Sequence, residues 1–249
     1  MFRQALRSAL VLTLLVNVVS AQASLERDRA RSHYRKGWEF MRVEGWQDAA
    51  KEFQNAIDID PQFEDAHYML GRADMAMKKY AEAIASYTKA RDLYRAQAGR
   101  QFSNQQEAQR YRQDRLTEID EMIRQAQSGP QNLAAQERMR QLQEYRRQIQ
   151  LSFQRGGNIS IENSVPAFVS LALGSAYFRS GKLEDAEREY KTAVATDPKT
   201  GEAHSNLAVV YFETGRYDEA ERAVAAAEKA GYKVHPQLKQ DIREKKKGG

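Results

Sequence analysis

The stretch that decides the fold is AFVSLALGSAYFRSGKLEDAEREYKTAVATDPKT at residues 167–200, followed by GEAHSNLAVVYFETGRYDEAERAVAAAEKA at residues 201–230. The second part repeats the first with a period of 34 residues. Five residue pairs keep this spacing: Leu173 and Leu207, Tyr177 and Tyr211, Gly181 and Gly215, Ala186 and Ala220, and Ala193 and Ala227. A fixed period of this length is typical of stacked helical hairpins, in which each hairpin buries its apolar side against the next.

A weaker copy of the pattern occurs earlier in the chain. Small residues and rings recur there in the same order, at Gly37, Phe40, Trp46, Ala49, Phe53, Ala56 and Pro61, and 34 residues after Gly37 a further copy begins with Gly71, Tyr80, Ala83, Tyr87 and Ala90. Small residues let two antiparallel helices approach closely, and the rings fill the space between hairpins. The sequence therefore predicts two hairpins before residue 95 and two after residue 164.

The order Leu173-Gly174-x-x-Tyr177, then Ala186-x-x-x-Tyr190, then Pro198 resembles the tetratricopeptide repeat (TPR) family. The resemblance implies an all-α fold, an α-solenoid of about four helical hairpins, whose usual activity is to hold other proteins. Some TPR proteins bind carboxylates at the C-terminus of a partner through a clamp of Lys, Asn and Arg side chains. That clamp is not recognisable here.

The array is interrupted at residues 96–163, which are rich in Gln, Arg and Glu. Two helices are predicted in this insertion from apolar residues at three-to-four spacing, and the turn Ser128-Gly129-Pro130 separates them. We expect a long antiparallel helical hairpin that either projects from the solenoid or stacks into it. Residues 95–155 carry eleven arginines against seven carboxylates, which fits either an acidic partner or a solvated surface.

Both ends of the chain carry separate signals. Arg3 and Arg7 precede an apolar run that ends at Ala21-Gln22-Ala23, the layout of a cleaved secretory signal peptide. A periplasmic or secreted protein is therefore expected, although an uncleaved anchor is the alternative. The predicted organisation is a signal peptide at 1–23, repeats at 24–95, the insertion at 96–163, repeats at 164–232, and a capping helix with a basic tail at 233–249.

Catalytic and metal-binding patterns are missing from the sequence. It has no cysteine and no HExxH, GxSxG, GxxxxGKS/T or GxGxxG motif. His33, His67 and His204 stand at equivalent places in their repeats, which favours a packing role over metal binding. We therefore expect no enzyme activity, no cofactor and no metal site. Nucleic acid is not expected as a partner, because charges of both signs alternate and no nucleic-acid motif occurs.

The predicted partner-binding surface is a stripe on the first helix of each repeat, at spacing i, i+4 and i+7. It consists of Tyr34, Trp38, Met41, Tyr68, Arg72, Met75, Leu171, Ser175, Phe178, Ser205, Val209 and Phe212. In proteins that resemble TPRs this face lines the concave groove, and its Trp, Tyr, Met and Arg residues are types enriched in binding hot spots. The other interpretation is that the chain's own insertion or terminal helix covers the stripe.

Two functions are consistent with these features. The first is a non-catalytic scaffold of the cell envelope that binds a segment of a partner protein or peptide in the groove. The second is a structural protein that forms homo-oligomers through the inserted hairpin. After cleavage of the signal peptide no stable membrane span is expected, because the rest of the chain has no comparable apolar run.

Overall fold

The computed structural model describes residues 25–97, 105–128, 133–152 and 165–247, so the predicted signal peptide lies outside the described residues. Within these ranges the chain forms eleven α-helices and no strand. The helices are α1 (residues 25–42), α2 (Trp46–Ile59), α3 (Glu64–Ala76), α4 (Tyr80–Gln97), α5 (Gln105–Ser128), α6 (Leu133–Ser152), α7 (Ala167–Arg179), α8 (Leu183–Thr196), α9 (Gly201–Glu213), α10 (Tyr217–Lys229) and α11 (Pro236–Lys247).

Four of the helix pairs are the predicted repeats: α1 with α2, α3 with α4, α7 with α8, and α9 with α10. Consecutive pairs stack, since α2 packs on α3 and α8 on α9. Helix α4 packs directly on α7, so the second and third repeats are neighbours although the insertion separates them in sequence. The prediction of an all-α solenoid of four hairpins is confirmed.

Close approach within a repeat depends on a glycine facing a ring. A Cβ atom placed on Gly71 would lie 2.7 Å from the Cδ1 atom of Tyr87, and one on Gly174 would lie 2.7 Å from Cδ1 of Tyr190. Both rings are almost completely buried. Any side chain larger than hydrogen would push the two helices apart, which explains the glycine and aromatic pattern in the sequence.

The turn between the two helices of each repeat has a residue in the left-handed region. Gly181 and Gly215 have φ angles of 78° and 74°. At the equivalent places in the first two repeats, the non-glycine residues Glu44 and Lys78 have φ angles of 58° and 60°. The first two repeats thus lack the glycine that is favoured at this position, but their backbone forms the same turn.

The insertion forms the predicted hairpin of α5 and α6, which pack against each other. It neither projects nor continues the stack. It folds back over the first helices of the repeats, because its apolar side is buried there together with residues of the first two repeats. The fully buried side chains of the hairpin are Ile119, Met122, Leu142 and Ile149.

The C-terminal helix α11 packs on α10, as the predicted capping helix does. Ile242 is buried in the core of the last two repeats. Lys246 anchors the end of the helix through ion pairs of 2.8 Å with Asp218 and 2.6 Å with Glu221. Among the described residues, no helix has the length and apolar character needed to cross a bilayer.

Candidate functional site

The predicted stripe residues line the face made by α1, α3, α7 and α9, which we call the groove. Four of them are buried: Tyr34, Trp38, Tyr68 and Leu171. The other eight are half-buried, namely Met41, Arg72, Met75, Ser175, Phe178, Ser205, Val209 and Phe212. The structure brings neighbouring stripes together, since the Arg72 guanidinium of α3 lies 5.6 Å from the centre of the Trp38 ring of α1.

The inserted hairpin covers part of this groove. The guanidinium of Arg138 on α6 lies 5.6 Å from the centre of the Tyr68 ring, and the Tyr145 ring lies 5.9 Å from that of Phe168. Farther along the solenoid, Arg140 donates hydrogen bonds of 3.0 Å to Asp197 and 2.9 Å to the Lys199 carbonyl. Helix α6 therefore crosses α3, α7 and the turn that leads into α9.

A buried ionic network holds the hairpin to the second repeat. The guanidinium of Arg115 on α5 lies 2.7 Å from Glu64 and 3.1 Å from Asp65, both on α3. Asp65 also accepts a hydrogen bond from the Tyr94 hydroxyl. Arg115 donates a further bond of 3.2 Å to the Tyr145 hydroxyl, which joins the two helices of the hairpin at the same point.

Glu118 extends the network to the first repeat. Its carboxylate lies 2.7 Å from Arg115 and 3.1 Å from Arg31 of α1. Among the described residues, the three carboxylates of Glu64, Asp65 and Glu118 thus form ion pairs with these two guanidinium groups. Glu64, Asp65 and Arg115 are almost completely buried, whereas Glu118 and Arg31 lie at the partly exposed end of the network.

Burial and charge shift the ionisation of this network. Burial, together with the carboxylates of Asp65 and Glu118, raises the pKa of Glu64 from about 4.5 to about 7, although Arg115 opposes the change. Burial also raises the pKa of Glu118. The pKa of Arg115 lies well above its ordinary value, since the attraction of Asp65 and Glu64 outweighs burial. Burial thus brings the pKa of Glu64 close to neutral pH.

The middle of the groove has the opposite character. Arg72 lies over the Trp38 ring, and its Nη1 atom is 3.8 Å from the sulfur of Met69. Burial lowers the pKa of Arg72 to about 10, and the positive charge of Arg138 adds to the effect. No carboxylate of the described residues forms an ion pair with Arg72 or Arg138. Two guanidinium groups therefore lie close enough to repel each other, and the charge of Glu202 acts on Arg138 without forming an ion pair with it.

Part of the groove is not covered to the same extent. Met41, Met75, Phe178 and Phe212 stand at one equivalent position, near the C-terminal end of each first helix. Each side chain packs against the core on one side and keeps a solvent-accessible side. Together they give the solenoid one apolar residue per repeat along this edge of the groove.

The histidines take part in local packing. The Nε2 atom of His67 lies 3.2 Å from the Pro61 carbonyl oxygen, and that of His204 lies 3.2 Å from the Pro198 carbonyl oxygen. His33 differs, because its Nδ1 atom lies 2.6 Å from Glu52. Within the part of the chain that the structure describes, no three His, Asp or Glu side chains come together in a way that could hold a metal ion.

Sequence reasoning missed the buried charges of Arg115, Glu64 and Asp65. A signal for Arg115 was present, because it lies seven residues after Ala108 and four before Ile119, on the apolar side of α5. A charged residue at a core position of a helix indicates a buried partner elsewhere in the chain. The partners on α3 could not be identified from the sequence, since they lie 50 residues or more away.

Comparison with solved structures agrees with this architecture. MamA has 14% sequence identity to this chain and a TM-score of 0.51. The match covers 81% of this chain and 78% of MamA. PilW, a widely conserved type IV pilus biogenesis factor, is 15% identical over 87% of this chain and 85% of its own, with a TM-score of 0.40. YrrB, a TPR protein with an unusual peptide-binding site, has 15% sequence identity to this chain and a TM-score of 0.29. The match covers 86% of this chain and 90% of YrrB. The likeness to MamA supports the fold alone, and the lower scores of the other two add no argument.

Comparison of sequences gives the family. No curated protein sequence matches the chain. A sequence profile described as tetratricopeptide repeat matches residues 34–99 and 171–233, which together make up just over half of the chain. These two ranges cover most of the helices of the four observed repeats. The chain belongs to the tetratricopeptide repeat family.

Proposed function

We propose that this protein is a non-catalytic scaffold that binds a segment of a partner protein along its groove. The observation that carries the proposal is the groove's own contact with α6, because it shows that this face accommodates a helical segment of protein. TPR solenoids present such a face on the first helices of their repeats, and the residues here include Trp, Tyr, Met and Arg, which suit protein contacts.

The half-buried edge of the groove supplies the accessible part of the surface. Met41, Met75, Phe178 and Phe212 are spaced one per repeat, so they offer a row of apolar contacts to a partner segment that follows this edge. Methionine side chains adapt to irregular apolar partners, and the phenylalanine rings provide rigid contact area. Catalysis has no part in the proposal.

We place this scaffold in the cell envelope, on the strength of the secretory pattern in residues 1–23. The absence of cysteine from the sequence suits a compartment in which free thiols are oxidised. Self-assembly through the hairpin remains the alternative prediction. Light scattering of the full chain and of a chain without residues 100–155 separates the two functions, because only self-assembly predicts a drop in size beyond the deleted mass.

Site-specific photo-crosslinking in cells that produce the protein tests the scaffold function. A photoreactive amino acid replaces Phe178 or Phe212 on the edge of the groove, and Ala85 or Glu184 on exposed positions of second helices serves as the control. Trp38 is a poorer site, since it is buried in the core. We expect the groove positions to capture one defined protein that the control positions do not capture. The same products from all four positions, or none from the groove, contradict the proposal.

A further inference from the structure

We propose that the hairpin α5–α6 is a displaceable occupant of the groove, and that the partner segment which replaces it presents an acidic side chain to Arg72. The inference rests on the proposed function, because it takes the groove to be the partner-binding surface. The inference specifies that the partner is acidic at one position. It also specifies that the groove becomes available when the hairpin is displaced.

The first argument is the charge mismatch where α6 crosses the groove. Arg72 lies against the Trp38 ring and Arg138 against the Tyr68 ring, at 5.6 Å in each case. Stacking on a ring stabilises a guanidinium, but it does not replace a counter-ion. Because like charges repel in a site of low dielectric constant, α6 is an imperfect ligand at this point.

The second argument is a group of buried polar atoms that lack a hydrogen-bond partner at the same contact. They are the Tyr34 hydroxyl, the Trp38 Nε1 and the Arg138 Nη2. All three can donate a hydrogen bond and only the Tyr34 hydroxyl can also accept one, so the contact has more donors than acceptors. A carboxylate is acceptor-only and accepts up to four bonds, which fits this surplus in both charge and hydrogen bonding.

Acidic residues around the crossing do not remove the surplus. Burial and the charge of Glu137 raise the pKa of Glu202, and the charge of Arg138 opposes this rise, so Glu202 balances part of the charge of Arg138 but not that of Arg72. Neither carboxylate forms an ion pair with Arg138, and Glu137 is held by Arg140 at 2.9 Å. The counter-charge that Arg72 lacks is therefore expected from another chain.

The third argument is that the ion pairs between the hairpin and the solenoid lie away from this contact. They are formed by the Arg115 network and by Asp114 with Arg27 and Arg31 on one side, and by Arg140 with Asp197 on the other. Between them, α6 is held by apolar packing of Leu142, Tyr145 and Ile149 and covers Arg72 only through the mismatched contact. A partner segment with a carboxylate at this point forms an ion pair with Arg72 that α6 does not form. This additional interaction lets the segment compete with α6, which has the advantage of belonging to the same chain.

Binding of synthetic peptides to the full chain tests the inference. The probes are three labelled copies of residues 133–152: the natural sequence, one with Arg138→Gln, and one with Arg138→Glu. They are titrated against the natural chain and against a chain with Arg115→Gln, in which the hairpin is held less firmly. We expect the Arg138→Glu peptide to bind about tenfold more tightly than the Arg138→Gln peptide. We also expect each affinity to rise in the Arg115→Gln chain.

Two controls make the test specific. Arg72→Gln in the protein is expected to remove the preference for the acidic peptide without removing binding of the neutral one. Because the chain has no cysteine, Arg140→Cys with Asp197→Cys gives a unique pair that a short bismaleimide can bridge. Bridging locks the hairpin on the groove and is expected to abolish peptide binding, whereas the unbridged variant still binds.

Several outcomes overturn the inference. Equal binding of the three peptides, no binding even to the Arg115→Gln chain, or undiminished binding to the bridged chain would each do so. Tightest binding of the natural peptide would also overturn it, and would indicate the hairpin of a second copy as the occupant. The scaffold function can survive any of these results, since the photo-crosslinks at Phe178 and Phe212 report on it separately.

Discussion

The Arg115 guanidinium lies 3.1 Å from the Asp65 carboxylate, with both side chains almost completely buried. This pair joins the inserted hairpin to the second repeat, across 50 residues of sequence. A buried ion pair adds little net stability over an apolar contact, because both charges lose their hydration. Removing one of the two charged side chains is costly, however, because the other is left buried without a partner. The Arg115 network therefore determines where the hairpin lies more than it adds to overall stability.

Replacing Arg115→Met is expected to release the hairpin from the groove. The change leaves Asp65, Glu64 and Glu118 buried with one cation fewer, and removing one partner of a buried pair typically costs about 3–5 kcal/mol. Hydrogen exchange is expected to increase in α5 and α6, while α9 and α10 stay protected. The control is Arg147→Ala, which removes an exposed pair with Glu144 and should leave exchange unchanged. Unchanged exchange in the Arg115 variant would contradict the role of this network.

Stability is expected to fall as the pH rises toward neutrality because of Glu64. Its pKa is about 7 in the folded protein and near 4.5 in the unfolded chain, so the folded state binds the proton more tightly. The stabilisation is fully present below about pH 4.5 and is lost as the pH rises through about 7. Glu64→Gln, which keeps the shape and cannot ionise, should remove this dependence.

Urea unfolding at pH 5 and pH 8, for the natural chain and the Glu64→Gln variant, measures the effect. Between pH 5 and pH 8, we expect the free energy of unfolding to fall by on the order of 2 kcal/mol more for the natural chain than for the variant. The comparison cancels the titration of other groups, which both proteins share. A pH dependence that is the same in both proteins would show that Glu64 is ionised at neutral pH in the folded state.

The repeats could be predicted from the sequence because each one depends on contacts that recur at a fixed period. Gly71 with Tyr87 and Gly174 with Tyr190 are within a single repeat, so the pattern contains both members of each contact. The hairpin was predictable for the same reason, since the apolar spacing in α5 and α6 identifies two helices that need a partner surface.

The position of the hairpin could not be predicted in this way. Spacing along a helix shows which side is apolar, but it does not show which other surface of the chain will cover that side. The choice depends on pairs such as Arg115 with Asp65 and Arg140 with Asp197, whose members belong to different segments with no shared period. For the same reason, Trp38 and Tyr68 had the character of exposed binding residues in the sequence but are buried in the structure.

Lys78→Gly is expected to stabilise the second repeat. Lys78 has a φ angle of 60°, where a side chain with a Cβ atom is disfavoured by about 1–2 kcal/mol. Glycine removes this strain but increases the freedom of the unfolded chain, so we expect a net gain of about 0.5–1 kcal/mol in the free energy of unfolding. The reciprocal change Gly181→Ala, at a φ angle of 78°, should destabilise the third repeat. Thermal unfolding of both variants checks the pair, and a loss of stability in Lys78→Gly would show that its side chain has a role in packing.

Gly174→Ala is expected to separate α7 from α8. The added Cβ atom would lie 2.7 Å from the Tyr190 ring, which is almost completely buried. Overpacking of this kind typically costs about 1–3 kcal/mol, even though alanine favours the helix. Gly45→Ala is the comparison, because the nearest heavy atoms to its added Cβ lie at 3.5 Å and its φ angle is −77°. Since Gly45 is the N-cap residue of α2, where alanine is less favourable than glycine, urea unfolding should show a small loss for this variant and a larger one for Gly174→Ala. Equal stability of the two would mean that the third repeat can shift its helices without cost, and the fixed glycine-to-ring contact would then not explain the repeat pattern.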